Sequence, residues 1–217
     1  DIAWIKVATP SQFPESVAAG EIHIIAMPTF ESLADVKQLS LKSEQKEAIE
    51  NFIKKHSYPG IQIKVFSPQI EFVEVCVDMI LNRLVETPSL DEVSELIDRT
   101  VAPWAFTPQK IENVDGSFNT IDVLNDLSRM PSVWKVEVCE AVQIIHKERG
   151  YNYIDTAESS ELLSPSTYRS ILIPLSKHKL RFINRAEESI LDTTIGNMII
   201  GTDLIVRKED EFLNIVD

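Results

Sequence analysis

With 217 residues, of which 44% are hydrophobic and 25% charged, the chain has the size and composition of a globular protein with a substantial core. A net charge of −13, from 34 acidic and 21 basic residues, argues against nucleic acid and anionic membranes as partners. No apolar run approaches the roughly 20 residues that a membrane-spanning helix needs. The chain opens on "DIAWIKV" without a Met, and we interpret it as a segment of a longer protein.

Residues 1–68 are predicted to form a first unit with the order strand, strand, helix, strand. Alternating or β-rich patterns predict its strands in "IAWIKV" (2–7), "EIHIIAMP" (21–28) and "IQIKVF" (61–66). A helix is predicted over 43–57, with Ser43 as its N-cap and Pro59-Gly60 as its stop signal. The apolar face of this helix comprises Ala48, Ile49, Phe52 and Ile53.

Residues 69–148 are predicted to form a second unit of the same kind. Its first strand, "IEFVEVCVDMI" (70–80), has one apolar face made of Val73, Val75, Val77 and Met79. Ser89 and Glu92 form a capping box for a helix whose apolar stripe is Leu90, Val93, Leu96 and Ile97. A short helix (119–130) follows with its apolar side formed by Val123, Leu124, Leu127 and Met130. The unit ends on a strand (133–145) with Trp134, Val136 and Val138 predicted to face inward.

Residues 149–217 are predicted to be a polar loop followed by a β-rich C-terminal extension. Strand patterns recur there at 169–175, 178–183, 197–201 and 203–208. We interpret them as short strands or as an extension that reaches towards another subunit. The chain as a whole is therefore predicted to be α+β, with two consecutive small strand–helix–strand units and this extension. The sheets are expected to be mixed or antiparallel and covered by helices on one face.

The residue types that carry catalysis or bind cofactors are not arranged as a recognisable site. The sequence has only six glycines and no nucleotide-binding or nucleophile-elbow motif. Cys76 and Cys139 lack metal-ligand spacing, and we predict them to be small buried residues in a reducing compartment. His23 is predicted to be a satisfied core or edge residue, and His178, between two lysines, a surface residue.

The carboxylates of the second unit's first helix are predicted to form its solvated face. They are Asp91, Glu92, Glu95 and Asp98. We therefore predict no catalytic residue, no metal site and no cofactor.

Two other classes of function remain open at this point. A metal-dependent hydrolase would use His146 and Glu148, which share one face of a strand, although the sequence shows no third ligand. The hydrolase hypothesis predicts three metal-ligating side chains within reach of one ion. A soluble adaptor or peptide-binding module would use an exposed strand edge such as that of 61–66, and it predicts an open groove beside that edge.

A series of turns in fixed order resembles the baseplate J-like family of contractile injection machines, found in tailed phages and phage-derived secretion particles. The similar stretches are "SEQKEAIENFIKKHSYPGIQIKVFSPQIEFVEVCVDMIL", "LIDRTVAPWAF" and "IDVLNDLSRMPSVWKVEVCEAV". The resemblance covers residues 1–146 and, more loosely, 165–183, where "RSILIPLSKHKLRFI" is similar to a tail strand pair. Residues 149–164 and the segment after 184 depart from the family's pattern.

This resemblance implies a structural wedge protein that links the hub of a baseplate to the sheath through protein–protein contacts, and not an enzyme. The implied partners are other baseplate subunits of the wedge, the hub and the region near the sheath, with self-association in the assembled ring. The implied location is the cytoplasm during assembly and then a phage virion or phage-tail-like particle.

The stretch "APWAF" (102–106) places two large aromatic residues where a helix is ended by Pro103. Burying a large aromatic side chain is worth about 1.5–3 kcal/mol. We therefore expect Trp104 and Phe106 to pack on their own core, Phe106 at least. In the alternative, one of them, with Trp104 preferred, fills a pocket of a neighbouring subunit. Trp104 and Phe106 are therefore the residues that we predict for a possible interface with another subunit.

Overall fold

The computed structural model describes residues 2–31, 36–82, 84–106, 116–147, 150–155, 162–184, 189–194 and 197–199. Within these ranges the α-helices are α1 (Ser43–Lys54), α2 (Leu90–Val101), α3 (Pro103–Phe106) and α4 (Thr120–Ser128). The first strands are β1 (Ile2–Ala8), β2 (Glu21–Pro28), β3 (Gln62–Phe66), β4 (Gln69–Leu81), β5 (Phe118–Asn119) and β6 (Val133–Lys147). The later strands are β7 (Gly150–Asp155), β8 (Leu162–Leu163), β9 (Ser170–Pro174), β10 (Lys179–Asn184), β11 (Ser189–Thr194) and β12 (Asn197–Ile199). The predicted α+β class is confirmed.

The first sheet has the order β1-β2-β3, with β1 antiparallel and β3 parallel to β2. Its strands lie where the alternating patterns predicted them. α1 covers one face, where Ile24, Ala26, Ile63 and Val65 are buried under Ile49 and Ile53 of the helix. The opposite face, with Trp4, Ile25 and Met27, packs against the second sheet.

Two details of α1 differ from the prediction. Lys42, not Ser43, is the N-cap, and its backbone N–H donates to Gln45 Oε1 at 2.9 Å. Ala48 and Phe52 are exposed, because α1 contacts β3, the edge strand, and one flank of the helix extends beyond the three strands. The apolar face of α1 is therefore wider than the sheet surface beneath it.

The second sheet is built around β4, which pairs antiparallel with β6 over nearly its whole length. On its other side β4 pairs in parallel with β9 through residues 69–73 and with β10 through residues 76–80. The order along the sheet is β12-β11-β10-β4-β6-β7, with β9 beside the start of β4. Two strands of the predicted C-terminal extension, β9 and β10, thus pair directly with β4, while 203–208 lies outside the described residues.

α2 and α4 cover one face of the second sheet. Beneath them the predicted inward residues of β4, Val73, Val75, Val77 and Met79, are at most 1% exposed. Val93 and Ile97 of α2 and Val123 and Leu127 of α4 complete this core, whereas Leu124 is 38% exposed. Ser89 caps α2 as predicted, since its Oγ accepts the Glu92 backbone N–H at 3.1 Å.

Of the three residues of β6 predicted to face inward, Trp134, Val136 and Val138, only Val136 packs against the core. Its register with β4 shifts twice, and the two β-bulges leave Trp134 and Glu137 as extra residues on β6. Each extra residue adds one position to the interval between successive core-facing residues. The core-facing side of β6 consequently carries Val133, Val136, Cys139 and Ala141. Trp134 and Val138 are 65% and 36% exposed, so their predicted inward orientation is wrong.

Candidate functional site

Trp104 lies at the junction of the two sheets. The buried side chains between the sheets form a junction cluster, which consists of Trp4, Ala8, Val17, Ile25, Met27, Leu39, Ile171 and Ile173. Trp104 is partly buried against this cluster and meets Phe30 edge-to-face, with ring centroids 5.9 Å apart. The single turn of α3 therefore joins the end of α2 to the first sheet.

Phe106, two residues later, points the other way. It is 40% exposed, and the Arg99 guanidinium lies 5.9 Å from its ring centroid. The expectation that at least Phe106 is in the core is therefore wrong. In one turn of helix the two aromatic rings cannot both face the junction cluster, and Trp104, the larger, occupies it. Phe106 is left as an apolar group on the surface.

Next to Phe106, a groove of about 530 Å³ separates α2 from α4. Leu96 and Pro103 supply its apolar lining, and Glu92, Glu95, Arg99, Thr100 and Asp126 supply its polar lining. The polar groups largely satisfy one another. Glu95 pairs with Arg99, and Asp126 accepts from Thr100 Oγ1 at 3.1 Å and pairs with Arg129 at 3.3 Å. The groove therefore combines an apolar lining with charges that are paired within the chain.

A polar network ties β2 to the loop before β9. His23, which is 5% exposed, contacts Tyr168 Oη at 2.9 Å through Nδ1 and Glu21 Oε2 at 3.0 Å through Nε2. Lys64 donates to both Glu21 oxygens at 2.7 Å. Hydrogen bonds from Lys64 and His23 lower the pKa of Glu21. His23 is a satisfied core residue, as predicted, but its link to Tyr168 spans 145 positions of sequence and has no local signal.

A buried carboxylate, Glu71 on β4, anchors the same loop from the second sheet. It accepts from the Ser166 backbone N–H at 3.1 Å and from Gln143 Nε2 at 2.5 Å, and it also pairs with Ser166 Oγ. Arg169, in the same loop, lies 4.1 Å from the ring centroid of Phe66. The loop is therefore held from both sheets, which indicates that their relative position is fixed by specific contacts.

His178 is fully buried rather than on the surface, so that prediction is wrong. It lies between β9 and β10, where the parallel partner of β4 changes. There Nδ1 accepts the Val75 backbone N–H at 3.2 Å, and Nε2 pairs with Asp98 Oδ1 at 3.0 Å. Asp98 consequently leaves the predicted solvated face of α2, whereas Asp91, Glu92 and Glu95 are exposed as predicted.

The two cysteines are thiols that are partly buried on opposite faces of the second sheet. Cys139 packs on the helix-covered face, while Cys76 pairs in register with Glu140 on the other. Burial raises the pKa of the Cys139 thiol to about 11, so this sulfur is protonated and unreactive at neutral pH.

Metal-ligand clusters of three or more His, Cys, Asp or Glu side chains are absent from the described residues. His146 lies on β6, but its side chain and Glu148 are outside what the structure describes. β3, the other alternative site, is an edge strand whose Ile63 and Val65 pack under α1. None of the described helices is long and apolar enough to cross a membrane.

No protein-family model and no curated protein sequence matches the chain. Among solved structures it is similar to a chain in the cryo-EM structure of the anti-feeding prophage (AFP) baseplate, 6-fold symmetrised. The TM-score is 0.56 and the identity 10%, over 80% of this chain and 33% of that chain. This chain thus spans about a third of the length of its structural neighbour and shares its fold over that part.

Proposed function

We propose that this chain is a structural subunit of the baseplate of a contractile injection machine. More specifically, we propose that it is a wedge protein of the baseplate J-like family, which links hub and sheath through protein–protein contacts. The observation that carries the proposal is the shared fold with a baseplate chain over 80% of the present chain. The ordered series of helix ends and turns in the sequence supports the same family.

The character of the described surface supports a scaffolding role. Three buried polar groups, Glu71, His23 and His178, hold structural elements together. The exposed groups near α3 are an aromatic ring and paired charges beside a groove, which are typical of protein interfaces. We propose Phe106 as an interface residue, with Trp104 as the residue that holds α3 in position.

The proposed partners are other subunits of the wedge, the hub and the region near the sheath. The proposed location is the cytoplasm during assembly and the phage or phage-tail-like particle afterwards. We also propose the division into residues 1–68, 69–148 and 149–217 as the units in which the chain is built, with β9 and β10 of the third completing the sheet of the second.

The proposal is tested by deleting the gene in a producing strain and examining purified particles by negative-stain electron microscopy. We expect free tubes or sheaths without baseplates, and restoration of complete particles when the gene is supplied in trans. Complete contractile particles in the deletion strain would overturn the proposal. Complete particles that have lost only their effect on target cells would indicate an accessory or enzymatic role instead.

A further inference from the structure

The backbone amides of β3 point in two directions. On one side, the Gln62 N–H donates to the carbonyl oxygen of Gly20, just before β2, at 2.8 Å. Because successive residues of a strand alternate in direction, the Lys64 N–H also points towards β2, whereas the N–H groups of Ile63 and Val65 point away from it. Outward groups of this kind are the ones through which a sheet adds a further strand.

The carboxylate of Glu50 on α1 occupies one of these outward groups. Glu50 Oε1 accepts the Val65 N–H at 3.1 Å, and Lys54, one turn further along α1, lies 3.5 Å from Glu50 Oε2. A backbone N–H is a single donor, so a neighbouring strand cannot bond the Val65 N–H while Glu50 holds it. A side chain of α1 therefore stands where the backbone of a further strand would otherwise bond.

The packing of α1 on the first sheet positions Glu50 for this contact. Ile49 and Ile53 of α1 pack on the buried face that carries Ile63 and Val65. Glu50 follows Ile49 by about 100° around the helix, so its side chain leaves α1 on a flank and not towards the core. The hydrogen bond to Val65 shows that this flank is the one above the outer side of β3.

The sequence of β3 favours pairing with copies of itself. "IQIKVF" (61–66) consists of β-branched and aromatic residues with one Gln and one Lys, and it contains neither Gly nor Pro. Short segments of this composition associate when their backbone groups are accessible. Lys64 is the one charge in the segment, and it is engaged by Glu21 at 2.7 Å within the chain. Protection of the backbone itself is therefore of value at this strand.

We propose that Glu50 blocks the outer side of β3 against strand addition by a second copy of this chain. An incoming strand has to break the hydrogen bond between Glu50 and Val65 before it forms its own, and it leaves the carboxylate without that donor. The same contact argues against the peptide-binding alternative, which requires an open groove beside this strand. The inference concerns the first sheet alone and does not rest on the baseplate proposal.

The hydrogen bond is tested by two substitutions of Glu50 in the 217-residue chain. Glu50→Ala removes the acceptor, whereas Glu50→Gln keeps an acceptor oxygen and removes the charge. Both residues favour helix, and circular dichroism checks that each variant is folded. Amide hydrogen exchange followed by NMR in dilute solution should be roughly 5- to 10-fold faster at Val65 in Glu50→Ala than in the wild type. Glu50→Gln should exchange at Val65 as the wild type does.

Strand addition is tested by light scattering after size-exclusion chromatography, in about 0.5 M salt to screen charge repulsion between copies. We expect Glu50→Ala to form larger assemblies than the wild type at equal concentration, with an association constant raised roughly 10-fold. Glu50→Gln should associate no more than the wild type. The double variant Glu50→Ala/Gln62→Lys adds a charge at an exposed position of β3 without restoring the acceptor, and it should also associate no more than the wild type.

The matched control is Glu47→Ala, which makes the same residue change at an exposed position of α1 and should leave both measurements unchanged. The proposal is overturned if Val65 exchanges at the wild-type rate in Glu50→Ala, or if this variant associates no more than the wild type. It is also overturned if Glu50→Gln associates as strongly as Glu50→Ala. Undiminished association of the double variant would overturn it too, since the assemblies would then form elsewhere than at β3.

Discussion

His178 completes the second sheet at a point where the backbone itself cannot. Between the stretches of β4 that pair with β9 and with β10, the Val75 N–H donates its hydrogen bond to the imidazole of His178. The other ring nitrogen contacts Asp98, so one side chain connects β4, the β9–β10 loop and α2. Because this role depends on topology, the flanking lysines in the sequence gave a misleading signal of exposure.

Replacing His178 with Phe keeps an aromatic ring in the site but removes both hydrogen bonds. We expect His178→Phe to lower the free energy of unfolding by roughly 2 kcal/mol, since the buried Val75 N–H is left unsatisfied. Urea unfolding followed by circular dichroism measures the change. Lys177→Ala, at the exposed neighbouring position, is the control and should change stability by less than about 0.5 kcal/mol. Equal stability of His178→Phe and wild type would contradict the proposed role.

Trp104 and Phe106 should respond differently to substitution. We expect Trp104→Ala to lower the free energy of unfolding by about 2 kcal/mol, less than for a fully buried Trp, because only part of the ring is buried. Phe106→Ser should lower the free energy of unfolding by less than about 1 kcal/mol. When this variant is supplied in the deletion strain, we expect fewer complete particles than with the wild-type chain. Unfolding curves and particle counts measure the two effects. Full restoration by Phe106→Ser would remove Phe106 from the interface.

The Glu21 network predicts a dependence of stability on pH. The hydrogen bonds from Lys64 and His23 lower the pKa of Glu21 below its ordinary value of 4.5. The ionised Glu21 carboxylate therefore adds to the free energy of unfolding above about pH 4.5. This contribution is lost as the pH falls through the lowered pKa that Glu21 has in the folded state. We expect wild type to exceed Glu21→Gln in stability at pH 7 and the difference to shrink below pH 4.5. Urea unfolding across this range measures it, with Glu15→Gln at an exposed loop position as the control.

At the scale of secondary-structure elements, local patterns had the most predictive power. Alternation placed β1, β2, β3 and β4, and the β4 residues predicted to face inward are buried. The bulges of β6 were not predictable, because an extra residue in a strand depends on the partner strand and leaves no reliable mark in composition. One bulge lies on each side of Val136, and each reverses the face of the residues beyond it relative to simple alternation, which is why Trp134 and Val138 were assigned to the wrong side.

The N-cap of α2 provides a prediction for a whole element. Ser89→Ala removes the acceptor of the Glu92 N–H, and we expect it to lower the free energy of unfolding by about 1 kcal/mol. Ser89→Asp keeps an acceptor at the cap and should retain most of the stability. Ser94→Ala, inside the same helix, should be nearly neutral or slightly stabilising. Thermal or urea unfolding compares the three, and an equal loss for Ser89→Ala and Ser89→Asp would contradict the cap assignment.

At the scale of the whole molecule, the class of fold was predictable but the connections were not. The pairing of β9 and β10 with β4 joins positions about 100 apart in sequence, such as Lys179 and Cys76. The junction contact of Trp104 and the link between His23 and Tyr168 arise from the same long-range packing. The sequence therefore predicted that Trp104 and His23 would be packed but did not identify their partners. Fold similarity to a baseplate chain rests on this architecture, since only 10% of residues are identical.

The most direct test of the central claim is the position of this chain in an intact particle. A chain carrying a C-terminal affinity tag would be expressed in the deletion strain, and purified particles would be labelled with tag-specific gold and imaged by electron microscopy. A baseplate subunit predicts gold at the baseplate end of each particle and absent from the sheath and the opposite end. Gold distributed along the sheath, or particles without label beside unincorporated tagged protein, would contradict the proposed role.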